Sequence, residues 1–399
     1  MAHDLGRTVA PADTAGPTRP RLHYVDNLRI ALTALVVLHH TAVTYGNIPA
    51  WYYTEPAKDG TGLILDAFVV VNQAFFMGFF FMIAGFFTPA SYDRKGPGPF
   101  LRDRLKRLGI PLLAFLLLIR PLTGLDAYFH LKTAFAERGD ALPYWVYYLA
   151  SWDAGPLWFV EVLLVFALLY ALVRRRGARR ALAAAGTSTN GLPTPQPLRP
   201  LRPRAIVLFT LALALATYGW RILVPVGVYV PFVGLPTPSY AVQYGSFFVL
   251  GVLAHRRGWA QSLSRRTGRV GFMVASVATL AYLPVLATAK AGATDGHGTW
   301  QSLAAAAWES TFAVGVVLGL TVLFRERLNR QGRKAAFLSR HAFGVYVLHA
   351  PVLVGLGLAF RWLDAPAVAK FALVAALALP LCWAVAYVVR RIPRVDRVL

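Results

Sequence analysis

The chain has 399 residues, of which 57% are hydrophobic and only 15% charged, with a mean hydropathy of +0.51. Soluble proteins carry about 25% charged residues, so apolar runs recurring from end to end exclude an ordinary soluble enzyme and point to a polytopic membrane protein. A net charge of +23 would suit nucleic acid in a soluble protein. Here Lys and Arg gather in the loops between apolar runs, as cytoplasmic loops do, and nucleic-acid binding is rejected.

Residues 1–22 are rich in Ala, Pro, Thr and Arg and lack an apolar h-region. They read as a disordered cytoplasmic tail, with the first span as an uncleaved signal anchor. About ten helices of spanning length are predicted, near 25–46, 62–88, 107–129, 155–173, 204–223, 238–255, 270–289, 301–324, 339–361 and 366–390. They form one all-α polytopic transmembrane bundle over residues 23–391. Residues 143–152, with Trp145, Tyr147, Tyr148 and Trp152, read as an interfacial or re-entrant piece. Residues 174–204, containing AAAGTSTNGLPTPQPLRPLRPR, read as a basic Pro-rich cytoplasmic linker, and 392–399 as a short tail. Basic residues cluster at every other boundary, in 94–107, 174–204, 256–269, 325–340 and 390–397. The positive-inside rule makes that side cytoplasmic and puts both termini there. Cys382 is alone, so no disulfide forms within the chain, and no ligand spacing calls for a metal.

Ionisable residues inside the spans are the candidate functional groups. In the first span, YVDNLRIALTALVVLHHTAVTYG, Arg29 and His40 are eleven residues apart. On a helix that is roughly 16 Å along the axis and about 20° in azimuth, whereas His39 falls about 80° off the Arg29 line. His40 therefore shares a face with Arg29 and suits a general base or nucleophile near neutral pH. Asp26 and Asn27 are expected to cap this helix. In FLRDRLKRLGIP, Arg104 and Arg107 share a helical face and suit phosphate, although membrane anchoring alone explains that spacing. Glu161 and Glu309 lie inside spans, where a carboxylate orients a partner, carries a proton or bonds another helix. Asn72 and Gln73 read as bonds between helices.

Taken together, several motifs resemble acyltransferase family 3. They are Leu28-Arg29 followed by His40, FFFMIAGFFTPAS (Phe79–Ser91), RLKRLGIP (Arg104–Pro111), GPLWFVEVLL (Gly155–Leu164) and FLSRHAFGVYVLHAPVL (Phe337–Leu353) with its Tyr346 and His349. They occur in the expected order over roughly residues 22–390. The resemblance implies transfer of an acyl group from cytoplasmic acyl-CoA to a hydroxyl of a glycan, lipid or small molecule presented across the membrane. By motif position, Arg29, Arg104 and Arg107 would hold the CoA phosphates and His40 would be the catalytic residue. Tyr346 and His349 would support it, His349 on the acceptor side. Many acetylating members carry Trp-Ser-Leu-x-x-Glu where this chain has LWFVE, which resembles the glucan-modifying, succinylating branch.

The sequence thus reads as an integral membrane O-acyltransferase of a bacterial plasma (inner) membrane, using acetyl-CoA or succinyl-CoA and no metal. His40 takes the acceptor's proton or carries the acyl group, with Glu161 as its expected partner carboxylate. Two alternatives stand beside it. One is a transporter or flippase for a glycolipid or anionic solute, and the other a sensor that binds acyl-CoA without turnover.

Overall fold

The computed structural model describes residues 22–48, 51–185, 201–231 and 234–399. The expected N-terminal tail up to residue 21 and the middle of the expected linker, 186–200, lie outside the described residues. The remainder is an all-α bundle whose apolar lengths set its architecture. Among the described residues eight helical stretches are long and apolar enough to cross a membrane, or nine if one bent pair counts as a single span. The expected span at 238–255 forms a helix of 17 residues, Ala241–Arg257.

The helices are α1 (His23–Tyr45), α2 (Gly62–Gln73), α3 (Phe76–Lys95), α4 (Pro97–Thr123), α5 (Leu125–Ala136), α6 (Tyr144–Ala150) and α7 (Trp158–Ala185). After them come α8 (Pro203–Leu223), α9 (Ala241–Arg257), α10 (Arg265–Thr288), α11 (Trp300–Arg327), α12 (Arg333–Ala359) and α13 (Ala367–Val389). The loops carrying most of the Arg and Lys lie at one end, here the basic end; the opposite end is the far end. The helix after the fourth apolar run continues to Ala185, well past Arg174 where the linker was expected to begin.

Helix α1 starts at His23, earlier than Asp26 and Asn27 would allow as caps, and Leu22 at the N-cap makes no side-chain cap bond. The first turn is tied from outside instead. The Tyr24 amide donates to Asn329 Oδ1 (3.2 Å), and Asn27 Nδ2 donates to the carbonyls of Leu328 (2.6 Å) and Arg330 (3.0 Å). Asp26 sits in that turn, where the helix dipole favours a carboxylate, 3.9 Å from the Arg29 guanidinium. Capping by Asp26 and Asn27 is thus replaced by a tether to the 328–331 loop.

The second and third apolar runs are not straight spans. The second breaks at Ala74 and Phe75, between α2 and α3, and the freed Ala74 carbonyl accepts from Gln243 Nε2 (2.8 Å). Helix α4 winds as π-helix over Leu105–Gly109 and Phe115–Ile119. Each π stretch lies just before a proline, Pro111 or Pro121, which has no N–H to return to the carbonyl four residues back. The hydroxyls of α6 bond carbonyls along this helix and its bend: Tyr148 bonds Leu116 in the second π stretch, Tyr144 bonds Pro121 (2.6 Å), and Tyr147 bonds Gly124 (3.0 Å), which also accepts the Tyr128 amide. Non-helical backbone at membrane depth needs such internal partners. At Gly124 the chain bends by 52° into α5.

Small residues set the closest helix crossings, as is usual in membranes. A Cβ on Gly85 of α3 would stand 2.1 Å from the Phe248 carbonyl oxygen of α9, and one on Gly251 2.0 Å from that of Met82. Gly271 and Gly315 do the same for α10 and α11.

Candidate active site

Helix α1 runs through the bundle beside α12, with His40 only five residues before its last residue, Tyr45. At 1.5 Å per residue the ring lies about 26 Å from the helix start and about 7.5 Å from the far end. Its neighbours are residues on α12 and on the loop after α1. His349 of α12, fully buried, places Nε2 3.3 Å from His40 Nδ1. Trp51, from the loop, stacks its indole on the His40 imidazole at 4.0 Å between ring centroids and lies 5.8 Å from His349.

The hydrogen bonds fix which nitrogens carry protons. His349 Nδ1 faces the Tyr346 carbonyl at 2.7 Å, so Nδ1 donates and Nε2 keeps a lone pair. His40 Nδ1 faces two acceptors, the Val36 carbonyl at 3.1 Å and that His349 lone pair, so it carries the proton too. The basic lone pair of His40 is left on Nε2. His39 points elsewhere, as its azimuth requires: it stacks on Phe76 at 5.0 Å, and its Nδ1 accepts from Asn72 Nδ2 at 3.2 Å.

The partner on His40 is therefore His349 rather than Glu161. Glu161 lies in the first turn of α7 with a buried carboxylate oxygen that no described group bonds. Its electrostatic neighbours include Asp153 and Tyr346, and the Tyr346 hydroxyl donates to the Pro156 carbonyl. Tyr346 thus joins α12 to the start of α7, one turn before His349.

Four residues that sequence reasoning passed over complete the far-end wall. Arg120, buried near the bend of α4, pairs with Asp153 at 3.1 Å. Asp153 also accepts from the Gly155 amide (2.7 Å) and the Tyr52 hydroxyl (3.3 Å). Tyr52 is next to Trp51 and packs on Gly155, where a Cβ would stand 1.8 Å from the phenol oxygen and where φ is +48°. The pair thereby fixes the loop that lays Trp51 on His40. The one available signal was Trp51-Tyr52-Tyr53, an aromatic run in a loop between two spans.

The arginines lie at the other end. Arg29 is 39% exposed, Arg104 sits over the Phe100 ring at 5.3 Å, and Arg107 is 63% exposed and bonded to Asp103 (3.1 Å). An apolar cavity of about 550 Å³ also opens in that half, reaching α1 only at Tyr24, Val25 and Leu28, well short of His40. Glu309 is spent on structure: it pairs with the buried Arg221 at 2.6 Å and accepts from Tyr240 at 3.2 Å. Gln73 donates to Tyr244, a bond between helices as expected. Among the described residues no group of His, Cys, Asp and Glu could hold a metal ion.

Comparison with known proteins gives the family. The acyltransferase domain family (acyltransferase family 3) matches residues 22–387. Glucans biosynthesis protein C of Salmonella schwarzengrund (strain CVM19633) is 24% identical over 351 residues, covering 85% of this chain and 84% of that protein. Glucans biosynthesis protein C of Escherichia coli O157:H7 is also 24% identical over 351 residues, covering 84% and 83%. No solved structure matches.

Proposed function

The chain belongs to the acyltransferase domain family and is a multi-pass membrane acyltransferase, and from that premise we propose that it moves an acetyl or succinyl group from acyl-CoA to a glycan hydroxyl across a bacterial inner membrane. The observation that carries the reading is the His40–His349 pair, because it leaves an oriented lone pair on His40 Nε2 near the far end. The acceptor hydroxyl gives its proton to that nitrogen as its oxygen attacks the thioester carbon. The carbon–sulfur bond then breaks, and the CoA sulfur takes the proton back from Nε2, leaving ester and free CoA. His349 accepts from Nδ1 throughout and steadies the imidazolium, as the third member of a triad does. Trp51 covers the ring.

The donor's phosphates would meet Arg29, Arg104 and Arg107 at the basic end, where guanidinium forks suit phosphate. The thioester must then lie about 16 Å away along α1, the separation of Arg29 and His40, so the pantetheine arm runs along that helix. A glycan acceptor is supported by the relatives' name, glucans biosynthesis protein C. The test is release of free thiol from acetyl-CoA and succinyl-CoA by purified protein in lipid nanodiscs, with and without a gluco-oligosaccharide. The wild type should release CoA and esterify the glycan. His40→Ala should lose about 10²–10⁴-fold in rate while binding the donor as before. Retained turnover in that variant would remove His40 from the chemistry.

A further inference from the structure

The far end carries a second concavity, of about 440 Å³, between the 55–59 loop and the 361–367 turn joining α12 to α13. Its floor is rigid. Lys370 is buried and pairs with Glu55 over the Tyr45 ring, and Asp59 accepts from the amides of Thr61 (2.7 Å) and Ala367 (2.9 Å). The Tyr45 side chain on this wall is only 1% exposed, and its hydroxyl has no hydrogen-bond partner among the described residues. The rim holds the exposed Lys58, Arg361 and Asp364 around Trp362, whose ring is 74% exposed. Three acidic residues (Glu55, Asp59, Asp364) balance three basic ones (Lys58, Arg361, Lys370).

We propose that this concavity is a subsite for a neutral oligosaccharide, binding a sugar unit remote from the one that is acylated; the proposal rests on the glycan-acyltransferase reading above. A pyranose offers an apolar face of C–H bonds and a rim of hydroxyls. An open indole flanked by carboxylate and guanidinium groups matches both. The balance of charge disfavours a phosphate-bearing ligand, which belongs at the basic end. Tyr45 follows His40 by five residues, about 7.5 Å along α1 and about 140° around it. A sugar in this concavity is therefore not the one at His40 Nε2, and only an acceptor several units long reaches both. Short acceptors react without using the subsite.

The experiment is calorimetric titration of the protein in nanodiscs with linear gluco-oligosaccharides of two and about eight units. Thiol release from acetyl-CoA without acceptor is measured in parallel. The wild type should bind the longer chain at least tenfold more tightly. Trp362→Ala should abolish that preference, Trp362→Phe should keep most of it, and Asp364→Asn should weaken it severalfold. Thiol release should stay unchanged in all three. Equal affinity for both lengths in the wild type overturns the proposal. So does a Trp362→Ala protein that melts earlier yet binds the longer chain as before, since it marks Trp362 as a membrane anchor. Length-dependent binding without any acyl-CoA turnover would sink the acyl-transfer reading and leave the subsite standing. Turnover with no glycan binding does the reverse.

Discussion

Replacing His349 separates a relay from a mere packing contact. His349 holds His40 Nδ1 at 3.3 Å and is itself anchored on the Tyr346 carbonyl at 2.7 Å. In the resting site the contact is between neutral rings, worth about 0.5–1.5 kcal/mol net; once His40 is protonated it becomes charge-assisted and worth about 1.5–3 kcal/mol. Only the difference, about 1–1.5 kcal/mol, acts on the transition state. At about 1.4 kcal/mol per factor of ten, His349→Phe should lower kcat about tenfold, far less than His40→Ala, because Val36 still holds the Nδ1 proton. The donor KM should not move. His349→Gln, whose amide oxygen can accept, should recover most of the rate. In the double variant with His40→Ala, the His349 change should have no further effect. The assay is thiol release with acceptor present, on protein whose melting temperature confirms folding. Wild-type kcat in His349→Phe, or additive losses in the double variant, would refute the relay.

Arg104→Gln should raise the donor KM severalfold with kcat nearly unchanged, read from the same thiol assay at varied acyl-CoA; an unchanged KM removes Arg104 from the donor site. Glu309→Ala strands the buried Arg221, whose guanidinium has no other carboxylate within pairing distance among the described residues. Breaking such a pair costs about 3–5 kcal/mol, so the melting temperature in nanodiscs should fall steeply, whereas Glu309→Ala with Arg221→Leu should restore part of it. Asp59, in the loop before α2, is held below the usual carboxylate range, first by the Thr61 side chain and then by the Ala367 amide. A depressed carboxyl contributes stability above its unfolded pKa and loses it as pH falls through its folded pKa. The 51–61 loop should therefore gain amide exchange, and α13 its first-turn exchange, as pH falls below the ordinary Asp range, and Asp59→Asn should show that exchange at neutral pH.

Much of the bundle was legible because apolar length is a constraint the membrane imposes directly. The axial placement of Arg29 and His40 followed from helix geometry, and the split between His39 and His40 appeared as two different neighbours, Asn72 and His349. What hydropathy missed has physical causes. The α2–α3 break is offset by Gln243, a residue 169 positions away, and the second π stretch of α4 by Tyr148 of α6; such partners are invisible to a window sliding along one segment. Asp26 and Asn27 looked like caps because their residue types suit an N-cap, but Asn329 supplies a bond from another loop. Glu161 stood out as an intramembrane carboxylate. The partner His40 found was a second imidazole, chosen by how α12 packs on α1. Trp51, Tyr52, Arg120 and Asp153 converge from three separate segments, and no local pattern announces that.

In the proposed reaction, the position of His40 along α1 also decides how transfer across the membrane would be divided between the two substrates. Had the base sat midway, each substrate would need to enter half the bundle. At about 7.5 Å from the far end, nearly the whole passage falls to the donor. A long flexible arm on a charged nucleotide suits such a passage. On that proposal the nucleotide would stay at the basic end, where the protein carries its positive charge, while only the narrow arm and thioester would enter. A bulky polar acceptor need penetrate no further than Trp51, whose indole stacks on His40 at 4.0 Å. The Arg120–Asp153–Tyr52 cluster then has a plain purpose. In the proposed reaction it would hold the loop that lays Trp51 on His40, so that acceptor entry and displacement of Trp51 become one event.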